Sequence, residues 1–123
     1  MNATPTQLRR DLNLFGFVFE SMVLRDLRVY AQANDGQVLQ YRDNTGLEVD
    51  AIVETGGGSW GAFEVKLGHA LVDDAARGLL RFAERVDTAR AGEPAVLAVI
   101  VGTGYGYVRD DGVAVIPIGA LGP

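Results

Sequence analysis

EVDAIVETGGGSWGAFEVK, residues 48–66, holds two runs of β-branched, aromatic and alternating charged residues around a glycine-rich centre at Thr55–Ser59. Such a pattern predicts two antiparallel strands joined by a tight turn. A turn centred on Gly57 sets Asp50 opposite Glu64. Strict alternation then puts Glu48, Asp50, Glu64 and Lys66 on one face of the hairpin, with Val49, Ala51, Val53, Phe63, Val65 and Leu67 on the other. Opposed side chains stand about 5 Å apart at Cβ, so both carboxylates would reach one cation. Facing carboxylates repel, and a hard divalent ion bound through oxygens relieves that repulsion. Lys66 would point into the same space, where it would hold a water or a phosphate oxygen. Any hairpin with one solvated face shows the same alternation, and on that reading these residues are ordinary surface charges.

Outward from the hairpin, Val38, Leu39 and Tyr41 form a preceding strand that turns at Asp43–Gly46, completing a three-stranded meander with residues 60–67. Before it, Leu12, Phe15, Val18, Phe19, Met22, Leu27 and Tyr30 recur near helical spacing from Leu8 to about Gln32. Thr4-Pro5-Thr6 is a helix-entry signal, Asn34-Asp35-Gly36 a stop, and Gly16 a boundary or a close packing contact. After the meander, Leu71, Ala75, Leu79, Phe82 and Val86 predict an amphipathic helix from His69 to about Arg90. The run AVLAVIVG, residues 95–102, is apolar throughout, as a strand covered on both faces would be. Residues 105–109 and 113–118 flank Asp110-Asp111-Gly112 as a closing hairpin. The expected order is α-β-β-β-α-β-β-β within a single domain, residues 1–123.

Composition narrows the function. The 123 residues carry 11 Lys and Arg against 16 Asp and Glu, a net charge of −5, with 48% hydrophobic residues and no cysteine. Thiolate metal sites, cysteine nucleophiles and disulfides are excluded, so any metal must be held by oxygen or by the one histidine. The acidic balance argues against binding nucleic acid by bulk charge. The polar start MNATPTQLRRDLN and the lack of an apolar run near the ~20 residues of a membrane span lead to the expectation of a soluble, cytoplasmic protein with no membrane partner.

The ordered set Glu20 in the first helix, E-V-D ending at Asp50, and E-V-K spanning Glu64–Lys66 resembles the PD-(D/E)xK, or restriction-endonuclease-like, nuclease superfamily. More narrowly, GFVFESMVLRDL, QYRDNTGLEVDAIVE, GAFEVKLG and DDAARGLLRFAE are similar to the nuclease-like C-terminal domain of predicted prokaryotic AAA-type ATPases. The resemblance implies an α/β fold, a three-layer α-β-α sandwich around a mixed central sheet. It implies that Asp50 and Glu64 bind Mg²⁺ or Mn²⁺ with the Val65 carbonyl as a further ligand, and that Glu20 reaches the ion directly or through water. Lys66 would orient the attacking water in hydrolysis of a DNA or RNA phosphodiester. The partners implied are nucleic acid and an ATPase module in the same or a separate chain. No G-x-x-x-x-G-K-[ST] motif is present, and TGGGSWG reads as a turn. The rival expectation is a catalytically silent binding domain, a regulatory or homodimerising attachment to an ATPase.

Several other residues have two readings. His69 begins the second helix close to the proposed site, and an exposed histidine there needs no function. Arg9, Arg10, Arg25, Arg28 and Arg42 would form a local basic surface or a solvated face, and Arg42 would equally pair with Asp43 or Glu48. Tyr105, Tyr107 and Trp60 would stack on a base, pack, or form an oligomer contact.

Overall fold

Thr4 Oγ1 accepts the Gln7 backbone N–H at 3.1 Å and the Gln7 side chain accepts the Thr4 N–H at 2.9 Å. This reciprocal cap opens helix α1 (Pro5–Ala33) in the computed structural model, which describes residues 4–121. α1 passes Gly16 without interruption, and a Cβ there would meet nothing, so Gly16 is neither boundary nor close contact. The helix ends where Asp35 adopts a positive φ of 55° and the Gly36 N–H returns to the Ala31 carbonyl at 2.7 Å.

Phe19, Val23, Leu24, Leu27 and Ala31 form the buried side of α1. Phe15, Val18, Met22 and Tyr30, expected from the same periodicity, face solvent. The side chains of Arg9 and Leu12 lie outside the described residues.

Six strands form one mixed sheet: β1 (Gln37–Arg42), β2 (Glu48–Glu54), β3 (Trp60–Val65), β4 (Val96–Val101), β5 (Tyr107–Val108) and β6 (Ala114–Pro117). Their order across the sheet is β1-β2-β3-β4-β6-β5. β1, β2 and β3 are an antiparallel meander, β3, β4 and β6 run parallel, and β5 closes the edge antiparallel to β6. Pairs from Ala51–Phe63 to Glu54–Trp60 follow the register that a turn on Gly57 requires, and the Thr55 N–H bonds the Ser59 carbonyl across it.

The segment expected as one helix over 69–90 is three pieces: a 3₁₀ turn at His69–Leu71, α2 (Val72–Arg85) and α3 (Thr88–Ala91). The break has a local cause. Val86 is extended and Asp87 accepts the Ala89 N–H, so a new helix start competes with continuation.

β4 divides the core. Ile100 joins Ala51, Val53 and Val65 beneath α1, whereas Val99 and Val101 join Trp60, Ala62 and Val115 beneath α2 with Leu79 and Phe82. The helices therefore cover opposite faces of the sheet.

The expected sharing of faces within the 48–66 hairpin needs correction at Val49. Between the pairs Tyr41–Val49 and Leu39–Ile52, β2 has two residues, Asp50 and Ala51, where β1 has one, Gln40. This bulge breaks the alternation. Val49 packs with the α2-side cluster, while Ala51 and Val53 pack beneath α1. Glu48, though exposed, still lines one cleft with Asp50, Glu64 and Lys66, and Ala51, Val53, Phe63 and Val65 stay together on the other side, so the departure is Val49.

Candidate functional site

The ladder between β2 and β3 reaches Ala51–Phe63, and the next residue toward the start of β2 is Asp50. Here the Asp50 Oδ2 accepts the backbone N–H of Val65 at 2.8 Å. One residue on, the Lys66 N–H bonds the Ile100 carbonyl at 2.9 Å. The end of β3 is thus held by a carboxylate on one side and by β4 on the other. A buried N–H left without a partner is costly, and Val65 is buried, so the bulge that aims Asp50 also completes the local bonding.

Glu64 is 7% exposed, the one buried charged residue among those described. Burial pushes its carboxyl up to about 9, a hydrogen bond and the charge of Asp50 push the same way, Lys66 opposes them, and Glu20 adds to the rise. The Glu20 carboxyl is also raised, first by burial and then by Asp50, with Lys66 opposing. The four residues Glu20, Asp50, Glu64 and Lys66, drawn from α1, β2 and the end of β3, therefore share one electrostatic environment. Glu48, Asp50, Glu64 and Lys66 line a cleft of about 350 Å³ with Leu71, Asp74 and Gly78 of the following segment. The space beside Gly78 is open, since a Cβ there would meet nothing.

Among the described residues, no three His, Asp or Glu side chains converge closely enough to enclose an ion by themselves. Asp50 and Glu64 supply two carboxylates that interact by a hydrogen bond and by charge, and Glu20 couples to both by charge. Two oxygen donors at a buried point suit a hard cation completed by backbone oxygen, water or a phosphate.

A family model described as a domain of unknown function (DUF4143) matches residues 15–121, a span that includes all four site residues. The chain belongs to the DUF4143 family. No curated protein and no solved structure matches it.

Elsewhere in this DUF4143 chain, the structure separates other candidates from the site. His69 Nε2 donates to the Thr103 carbonyl at 2.7 Å, tying the turn after β3 to the loop after β4. Trp60 is a packing residue, buried, edge-on to Phe82 and donating from Nε1 to the Gly92 carbonyl at 3.0 Å. Arg42 pairs with Glu48 at 3.0 Å, one of its two expected acids. Arg10, Arg25 and Arg28 are exposed along α1. Tyr105 is 90% exposed and Tyr107 half-exposed, so neither fills a core. Asp74, which ion-pairs with Arg77, is the cleft residue sequence reasoning missed. Its signal was the acidic start of DDAARG, where a helix's first turn favours negative charge. No helix among the described residues is long and apolar enough to cross a membrane.

Proposed function

We propose that this chain is a metal-dependent, nuclease-like domain that hydrolyses phosphodiesters of DNA or RNA, in the manner of the PD-(D/E)xK superfamily. The observation that carries the reading is a buried Glu64 beside Asp50, with Lys66 in the same cleft. A buried carboxyl raised by a second acid is a poor structural choice and a good cation ligand, because a cation relieves both burial and repulsion. Helices on opposite faces of a mixed sheet, with the acids on adjacent antiparallel strands, support a restriction-endonuclease-like sandwich.

Asp50 and Glu64 would hold Mg²⁺ or Mn²⁺, with the Val65 carbonyl as a further oxygen ligand and Glu20 acting directly or through water. When bound, the ion would acidify water and offset charge on phosphate oxygens. Lys66 would orient the attacking water and place a positive charge where negative charge grows. The net charge of −5 assigns substrate attraction to the cation and to local arginines rather than to the whole surface. By the resemblance to the ATPase-linked nuclease-like domains, the domain would serve as an accessory to an ATPase.

The test is incubation with Mg²⁺ or Mn²⁺ and single-stranded, duplex and branched DNA and RNA. Cleavage should fall by roughly 10²-fold or more in Lys66→Ala, in line with loss of a positioned catalytic group. Wild type no faster than Lys66→Ala on every substrate removes the catalytic reading and leaves the silent binding domain.

A further inference from the structure

α1 is apolar on two opposite sides. The inner side packs on the sheet, while Leu14, Phe15, Val18, Met22 and Val29 stand between 45% and 66% exposed. Phe15, Val18, Met22, Arg25 and Val29 follow alternating steps of three and four, the spacing of a helix–helix seam. With Phe17 and Tyr30, the apolar area left open on this helix is on the order of 600–800 Å², counting about 150–200 Å² for each fully exposed large side chain. The largest patch on an ordinary monomer is about 300–600 Å², and a standard interface removes about 800 Å² from each partner.

A groove of about 640 Å³ lies along the same helix. It lies between the last turns of α1 and the starts of β3 and β4, whereas Val65 and Ile100, at the other ends of these strands, are buried beneath the helix. Val29, Tyr30, Phe63, Val96 and Ile116 line it, and Val29 and Tyr30 make it continuous with the exposed seam.

We propose that α1 is a homodimer interface, in which the exposed seam of one protomer seats in the groove of a second copy. The area open on this helix approaches what a stable dimer removes from each partner, and the groove beside it adds to that area. Charge fits as well. Arg25 is the one charge within the seam and Asp26 the one charged residue lining the groove, and neither ion-pairs within its own chain among the described residues. Because seam and groove share a helix, a two-fold axis makes the contact twice and closes the assembly. The interface shares no residue with the cleft that holds Asp50, Glu64 and Lys66.

Size-exclusion chromatography with light scattering on the wild-type chain, near 100 μM (about the range where modest interfaces are filled), should give twice the 13.1 kDa chain mass. Val18→Glu/Met22→Glu should be monomeric with an unchanged circular dichroism spectrum, since both positions face solvent in the protomer. Arg25→Asp should weaken the dimer at least tenfold, and Arg25→Asp/Asp26→Arg should restore it. A wild type that is monomeric, or a dimer that survives Val18→Glu/Met22→Glu, overturns the proposal. Failure of Arg25→Asp/Asp26→Arg to rescue overturns the charge pairing.

Discussion

Asp50 Oδ2 and the backbone N–H of Val65 meet at 2.8 Å just beyond the ladder between β2 and β3. The carboxylate therefore closes a strand end as well as carrying charge, and two substitutions separate these tasks. Asp50→Asn keeps an oxygen acceptor for Val65 and removes the charge. It should melt within a few degrees of wild type yet bind Mn²⁺ at least tenfold more weakly by calorimetry. Asp50→Ala loses the acceptor too and should be destabilised by about 1–3 kcal/mol, the usual cost of an orphaned buried N–H. Equal Mn²⁺ affinity in wild type and Asp50→Asn removes Asp50 from the proposed ligand set.

Glu64 gives a pH dependence whose direction follows from linkage. Its folded carboxyl titrates at about 9 against an ordinary 4.5, so between those values the native state holds a proton that the unfolded chain has released. Stability of the metal-free protein should accordingly be fullest below pH 4.5, as far as this group is concerned, and decline as pH rises toward 9. Glu64→Gln should lack that decline and be more stable than wild type at pH 8 in denaturant titrations with chelator present. Mn²⁺ binding must displace the same proton, so wild-type affinity should rise by up to about tenfold per pH unit between pH 6 and 8. A Glu64→Gln stability curve parallel to wild type would show that Glu64 does not carry the proton.

The meander and its register were legible because glycine turns and alternation are local signals, and Gly57 alone sets which residues oppose. The bulge at Asp50–Ala51 was not, since it depends on how Tyr41 and Leu39 of β1 pair across β2. Glu20 was named through its place in a family-like order, and only tertiary packing brings α1 near Asp50. Periodicity in α1 showed an apolar helix but not which side is inner, because Phe15, Val18 and Met22 repeat as regularly as Phe19, Val23 and Leu27.

Asp43 anchors the turn before β2. Its carboxylate accepts from the Thr45 N–H at 2.9 Å, the Leu47 N–H at 3.2 Å, the Tyr41 hydroxyl at 2.9 Å and Arg85 of α2 at 2.5 Å. Donors on every side, led by the Thr45 hydroxyl, hold it far below the usual aspartate value of 3.8. A depressed carboxyl contributes stability that is present above its unfolded value and lost as pH falls through the folded one. Asp43→Ala should therefore lower the melting temperature at pH 7, and the difference from wild type should shrink steadily below pH 3.8. A gap that stays constant on acidification would assign the loss to turn geometry rather than to the ionised carboxylate.

Gly16 and Gly36 should respond to alanine with opposite signs. Gly16 lies inside α1 with open space at its Cβ position, so Gly16→Ala should stabilise by about 0.5–1 kcal/mol through helix propensity. At the corner between α1 and β1, a Cβ on Gly36 would sit 1.8 Å from the Glu54 carbonyl oxygen and 2.8 Å from the Thr55 Cα. Both are backbone atoms at the end of β2, where Glu54 pairs with Gln37, so neither yields without opening the β1–β2 ladder. The overlap outweighs the entropy gained in the unfolded chain, about 0.4–1 kcal/mol, and Gly36→Ala should cost about 1–3 kcal/mol net. Thermal melts should shift by roughly 4 °C per kcal/mol in each direction. Gly36→Ala melting at or above wild type would mean that the corner between helix and strand is looser than the 1.8 Å approach requires.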